Sequence, residues 1–121
     1  TTIARDGHQM LIAGTAMPWV KPHPDLSAAP DADLRLLISH TPRWHRWAAQ
    51  HDFDLMVAGH LHGGQIRLPL LGAIHGAGYD CGIFQRGGTV LHITRGLAQL
   101  THLRFRCRPE ITKLILRAPK A

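Results

Sequence analysis

Two histidines one residue apart, His60 and His62, carry the clearest chemical signal of this chain. They follow an apolar run, Leu55–Ala58, that is typical of a buried strand, and the glycines on both sides permit a sharp turn. Neutral imidazole is a good ligand for zinc, manganese or iron. In extended backbone the two side chains would share one face, whereas in a turn they can diverge and serve two neighbouring ions. The H-x-H spacing alone is weak evidence, because the chain contains ten histidines.

A third histidine, His40, also follows a predicted strand. Residues 34–39 form an apolar run, as expected in the middle of a sheet, and a predicted helix at 43–51 leads to the predicted strand 54–58. Such a strand–helix–strand unit is parallel and right-handed by default. The carboxyl ends of the two strands then meet at one edge of the sheet, where open α/β sheets bind ligands. We therefore expect the three histidines to converge at this edge.

The motifs around these histidines resemble those of a known family. The segments LLISHTP, AGHLHGGQ, TRGL and RPEI, between about Leu34 and Leu116, resemble the C-terminal half of a calcineurin-like metallophosphoesterase. The resemblance is to the bacterial branch that carries G-H-x-H-G-G-Q. It implies an α/β fold, strand-rich with one main helix, that corresponds to half of a metallophosphoesterase β-sandwich. It also implies that His40 and His60 ligate one ion of a binuclear centre and that His62 ligates the other.

The remaining metal ligands of that family are not found in this sequence. The family supplies them from an Asp-x-His, a bridging Gly-Asp and a Gly-Asn-His motif, whereas this sequence has no Gly-Asp dipeptide and no asparagine. Asp6-Gly7-His8 matches the first motif in letters, but it is better interpreted as a turn in a hairpin. We therefore expect a truncated family member whose standard site cannot be completed within this chain or by another copy of it.

Three further residues could take part in the site. Asp80 is the first candidate for a substitute metal ligand and His75 the next, although both are more simply interpreted as turn residues. Arg95 follows a predicted strand and either faces a substrate phosphate or pairs with a surface acid. No side chain is assigned as catalytic, and hydroxide on the metal is the expected nucleophile.

Composition favours a single small domain over residues 1–121, with a proline-rich connection at 17–33. A net charge of +6 favours anionic partners such as phosphate esters, nucleic acid or acidic protein surfaces. No apolar run is long enough for a membrane span. The lack of an evident signal peptide and the presence of only two cysteines lead us to expect a cytoplasmic protein. The other predicted elements are two hairpins, with turns at 6–7 and 86–88, and two strands at 103–108 and 111–117.

The favoured function is a metal-dependent phosphoric ester hydrolase, most specifically a phosphodiesterase, with one or two manganese, zinc or iron ions. Half of a sandwich leaves apolar sheet surface uncovered. We therefore expect a homo-oligomer that rebuilds the site on the three histidines, or a complex with the missing N-terminal half. One alternative is a catalytically silent metal-binding fragment. Another is a basic nucleic-acid-binding domain, because the arginines at 104, 106 and 108 alternate along a predicted strand.

Overall fold

The computed structural model of the chain describes residues 1–15, 23–74, 79–98 and 103–117. The predicted connection at 17–33 is therefore described only from residue 23 onward. His75 lies outside the described residues.

Eight strands and one α-helix form within these ranges. Their bounds are β1 Thr2–Arg5, β2 His8–Thr15, β3 Leu34–Ser39, α1 His45–Gln50, β4 Leu55–Ala58, β5 Arg67–Leu68, β6 Gly72–Ala73, β7 Gly82–Arg86 and β8 Thr89–Ile93. Six strands make one mixed sheet in the order β1-β2-β3-β4-β8-β7, and β5 pairs with β6 in a separate ribbon. The inner strands β2, β3, β4 and β8 are parallel, whereas β1 and β7 pair antiparallel with their sequence neighbours. Both predicted hairpins are confirmed.

The buried face of the sheet is a row of apolar side chains that pair across the strands. Leu37 of β3, Met56 of β4 and Leu91 of β8 are direct cross-strand neighbours, and each is fully buried. Ala48 of α1 and Phe53, just after the helix, pack against this row. The predicted strand–helix–strand unit is therefore confirmed, and so is the predicted fold class of a strand-rich α/β protein with one main helix.

The predicted helix at 43–51 forms as a 3₁₀ turn, Pro42–Trp44, followed by α1. Trp44 and Trp47 pack against the core, as the helical spacing predicts. His45 is buried rather than on the polar side of the helix: the residue is only 3% exposed, and its Nε2 lies 3.3 Å from the carbonyl oxygen of Thr89. None of the helices in the described ranges is long and apolar enough to cross a membrane.

The two strands predicted at 103–108 and 111–117 do not form. Only Phe105 makes a bridge, with Ile66, and the rest of 103–117 is irregular. Arg106 has a φ of 53°, which interrupts any extended run. Arg104 is partly buried and points its guanidinium at backbone carbonyls. The basic stripe that favoured a nucleic-acid face is therefore absent from this segment.

The opposite face of the sheet carries a second cross-strand row that the helix does not cover. Ile38, Val57, His92 and Ile83 are paired neighbours across β3, β4, β8 and β7. Ile38 is 48% exposed and Ile83 is 69% exposed. This uncovered apolar surface is what half of a sandwich is expected to leave.

Because His45 is buried, its imidazole is harder to protonate than that of an exposed histidine. Desolvation lowers the pKa of His45 below its ordinary value of 6.5; the hydrogen bond to Thr89 opposes this shift, and the charge of Arg86 adds to it. The unfolded chain therefore binds a proton at a higher pH than the native chain does. The free energy of unfolding must then decrease as the pH falls below 6.5 toward the native pKa.

We expect His45→Gln to reduce this pH sensitivity. Between about pH 7.5 and about pH 5.5, the free energy of unfolding should fall less in the variant than in the unaltered chain, because the buried titrating group is gone. Urea denaturation at several pH values measures the difference. His51→Gln, which changes an exposed histidine just beyond the same helix, is the matched control. Equal pH slopes for His45→Gln and the unaltered chain would contradict the assignment.

Candidate metal centre

The carboxyl ends of β3 and β4 bring two histidines into contact. His40 directly follows β3, and His60 follows β4 after one glycine. The backbone N–H of Gly59 donates to the carbonyl of His40 at 3.3 Å, which ties the two strand ends together. His40 Nε2 then lies 2.8 Å from His60 Nδ1, and both side chains are accessible to solvent. The parallel pairing thus places two imidazole nitrogens face to face.

In the turn after β4, His62 has a hydrogen-bond partner of its own. His60 and His62 both have positive φ, 73° and 50°, whereas Leu61 between them has a φ of −80°. His62 Nδ1 lies 2.9 Å from the carbonyl oxygen of Ala98. Because a carbonyl can only accept, Nδ1 carries the proton and the lone pair is left on Nε2. His40 and His60 thus contact each other, whereas His62 has a separate partner, Ala98.

The surroundings of His60 favour its neutral form. Desolvation lowers the pKa of His60, and the nearby His40 and His62 lower it further when they are charged. A neutral imidazole keeps the lone pair that a metal ion requires, whereas a protonated one does not. The local electrostatics therefore favour the ligand form of His60.

The donor set fits a divalent transition metal, although it is incomplete. Tetrahedral ligand nitrogens that are each about 2.0–2.1 Å from one ion are about 3.4 Å apart. The 2.8 Å contact of His40 with His60 is a hydrogen bond, and its proton must leave before both nitrogens can bind one ion. Metal-binding histidines commonly donate their other N–H to a backbone carbonyl, as His62 does to Ala98. Within the described ranges, however, no group of three or more His, Cys, Asp or Glu side chains is arranged to hold a metal ion.

The other candidate residues have partners of their own. Asp80 is in an ion pair with Arg67, whose Nη1 also donates to the carbonyl of Gly63 at 3.3 Å. Arg95 Nε lies 3.5 Å from Glu110 Oε2, and its backbone N–H donates to Glu110 Oε1 at 2.9 Å. Of the two interpretations of Arg95, the structure contains the pairing with an acid. His75 lies outside the described residues.

Arg104 holds the histidine turn in place, a role that the sequence did not reveal. Its Nη1 donates to the carbonyls of His62 at 3.4 Å and Cys107 at 3.3 Å. Its Nη2 donates to the carbonyl of Arg95 at 3.1 Å and to that of Ala98. The carbonyl of Ala98 therefore accepts hydrogen bonds from both Arg104 and His62. The alternation of arginines in the sequence suggested an exposed stripe, so the inward contact of Arg104 with backbone carbonyls was not predicted.

Gly63 allows the turn to pack closely against the rest of the site. Its φ is +62°, and a Cβ at this position would lie 2.7 Å from Cys107 Sγ and 2.8 Å from Arg95 Cγ. Cys107 is itself only 1% exposed and cannot move away easily. Only glycine satisfies both the backbone conformation and the contact.

Two curated proteins are similar to this chain. The chain is 37% identical over 124 residues to phosphodiesterase YaeI of Escherichia coli (strain K12), with 96% of this chain and 44% of that protein covered. It is 36% identical over 98 residues to the uncharacterized metallophosphoesterase YkuE of Bacillus subtilis (strain 168), with 77% of this chain and 34% of that protein covered. The chain thus spans less than half the length of the curated relatives that it matches. No protein-family model and no solved structure matches it.

We expect Gly63→Ala to destabilise the fold by about 2–4 kcal/mol, from the strained backbone together with overpacking. Gly72→Ala is the matched control, because Gly72 also has a positive φ, of +76°, but a Cβ there would meet nothing within 4 Å. The control should lose only about 1–2 kcal/mol. Urea denaturation measures both values. Equal losses would show that the contact with Cys107 and Arg95 does not matter.

We expect Arg104→Met to release the carbonyl of Ala98 and to change the protonated nitrogen of His62. Nitrogen-15 NMR of the imidazole should find the proton on Nδ1 in the unaltered chain and a population with the proton on Nε2 in the variant. Arg104→Lys should restore the original form in part, because it retains a donor. Arg108→Met, an exposed site in the same segment, is the control. An unchanged His62 ring in Arg104→Met would contradict the role of Arg104.

Proposed function

We propose, from the resemblance of this chain to the C-terminal half of a metallophosphoesterase, that it forms part of a metal-dependent phosphoric ester hydrolase, most specifically a phosphodiesterase. The observation that carries the proposal is the 2.8 Å approach of His40 Nε2 to His60 Nδ1 at the carboxyl ends of two parallel strands. This edge is where open α/β sheets bind their ligands. The name of one relative, phosphodiesterase YaeI, supports the same class of substrate.

Three histidines are the proposed metal ligands. His40 and His60 would hold one ion and His62, through Nε2, a second; manganese, zinc and iron all suit imidazole. When bound, such ions supply Lewis acidity toward a phosphoryl oxygen and lower the pKa of water. Asp80 and His75 remain secondary candidates as ligands. For Asp80 this would require the carboxylate to leave Arg67.

The chain's own residues orient this site and balance its charge. Ala98 and Arg104 keep the Nε2 lone pair of His62 available. Arg95 is the proposed contact for the substrate phosphate, because its side chain is 37% exposed beside the histidine turn even while it pairs with Glu110. A guanidinium suits phosphate through its forked geometry.

The substrate is proposed to be a phosphodiester with a good leaving group. The asparagine-containing motif that would assist the leaving group in the resembled family has no counterpart in this sequence. An aryl leaving group needs little help from a general acid, because it departs as a stable anion. Aryl phosphodiesters are therefore the substrates to test first.

Association with another chain is proposed to complete the site. We treat residues 1–121 as one domain whose uncovered face, with Ile38 and Ile83, favours burial against a partner. That partner is either a second copy, which would make a homo-oligomer, or a chain equivalent to the N-terminal half of the resembled family. In both cases the contact supplies ligands that this chain lacks.

We expect His60→Ala to remove both bound metal and turnover. The measurements are metal per chain by mass spectrometry, on untagged protein sized in the same experiment, and hydrolysis of bis(p-nitrophenyl) phosphate. His51→Ala is the control, since His51 is exposed and belongs to the helix end rather than to the site. Unchanged hydrolysis in His60→Ala would refute the proposed site. Stoichiometric metal without hydrolysis in the unaltered chain would instead support the silent metal-binding fragment.

A further inference from the structure

We propose that a second pocket, apart from the histidine pair, binds a small organic phosphate monoester. The pocket has a volume of about 360 Å³ and lies beside the helix that connects β3 to β4. Its lining residues are Pro42, Arg43, His45, Arg46, Tyr79 and Arg86. No residue proposed above as a metal ligand or substrate contact is among them. The inference therefore goes beyond the proposed hydrolase site.

The pocket extends to the opposite end of the sheet from the histidine pair. Arg86 ends β7 and pairs with Thr89, the first residue of β8. β8 runs parallel to β4, and its last residue, Ile93, is the one that pairs with Ala58 next to the histidine turn. The length of β8 therefore separates Arg86 from that turn, whereas Pro42, which also lines the pocket, follows His40 by two residues.

Three unpaired positive charges surround this pocket. Arg43, Arg46 and Arg86 are exposed, and none of them makes an ion pair or a hydrogen bond with another residue in the described ranges. Guanidinium groups that line one pocket repel one another, and an anion between them offsets this repulsion. Their forked donors match the oxygens of phosphate. A phosphate monoester, which carries up to two negative charges, balances three cations better than a single carboxylate does.

His45, one of the residues that line the pocket, has an unpaired polar atom. His45 uses Nε2 to donate to the carbonyl of Thr89, so the neutral ring keeps its lone pair on Nδ1. That Nδ1 is buried and has no hydrogen-bond partner in the described part of the chain. A buried acceptor without a partner is destabilising.

The size and the aromatic wall of the pocket indicate an organic group in addition to the phosphate. Tyr79 is held by its ring contact with Phe84, at a centroid distance of 4.5 Å, and it lies edge-on to His45 at 6.3 Å. Pro42 adds a second apolar surface. A volume of about 360 Å³ is within the range of small-molecule sites and exceeds the needs of a bare phosphate ion. A flat ring attached to the phosphate would fill the space beside Tyr79.

The test is an NMR titration of the full chain with phenyl phosphate, and separately with inorganic phosphate, at constant ionic strength and with a chelator present. We expect saturable amide shifts confined to the segments around Arg43, Arg46 and Arg86, and tighter binding of phenyl phosphate than of inorganic phosphate. The Arg46→Gln/Arg86→Gln double variant should weaken binding about tenfold or more, through the loss of charge-assisted hydrogen bonds. The matched double control is Arg108→Gln/Arg117→Gln, which removes the same charge from exposed positions elsewhere.

Failure of this proposal is distinguishable from failure of the proposed hydrolase. His60→Ala should bind phenyl phosphate as the unaltered chain does, because the chelator and the substitution both disable the metal centre. Arg43→Gln provides a second, single substitution if the double variant does not give a folded spectrum. Equal weakening in the control variant, shifts spread over all arginines, or equal binding of phenyl phosphate and inorganic phosphate would overturn the assignment.

Discussion

The parallel pairing of β3 with β4 is the constraint on which the candidate site depends. Leu37 and Met56 are opposite each other and fully buried, and the same register sets Ser39 opposite Ala58. A slip by one residue would turn the apolar side chains of one strand to the uncovered face, so the core strongly disfavours it. The contact between the two histidines just beyond these strands is therefore a consequence of core packing. It needs no attraction between the rings themselves.

In the turn that follows β4, a strained backbone fixes the orientation of the two histidine side chains. His60 and His62 both lie in the left-handed region, which costs about 1–2 kcal/mol for each residue other than glycine. Such strain persists only where the surroundings over-determine it. Here Arg104 binds the carbonyl of His62, and Cys107 packs within hydrogen-bond distance of the same carbonyl, at 3.3 Å. The irregular segment after β8 thus acts as the support of the site, although it adds no strand to the sheet.

Local patterns predicted the parts of the fold that depend on neighbouring residues. The apolar runs of β3 and β4, and the helix between them, were sufficient to place His40 next to His60. The burial of His45 was not predictable in this way, because it depends on Thr89, 44 positions along the chain. The orientation of His62 depends on Ala98 in the same manner, at a separation of 36. Arg104 belongs to an alternating pattern that is typical of a strand, but hydrogen bonds to distant carbonyls set the direction of its side chain.

The incomplete ligand set and the uncovered face are two aspects of one arrangement. Ile38 is 48% exposed on that face, and His40, just past the end of β3, follows it by two residues. Val57, the cross-strand neighbour of Ile38 on β4, is three residues before His60. A body that packed on this face would therefore end within about 7–10 Å of the histidine pair, given about 3.3 Å per residue along a strand. Under the proposal that association completes the site, one contact would bury the apolar row and also bring new ligands to the proposed metal centre, so oligomeric state and metal content would change together.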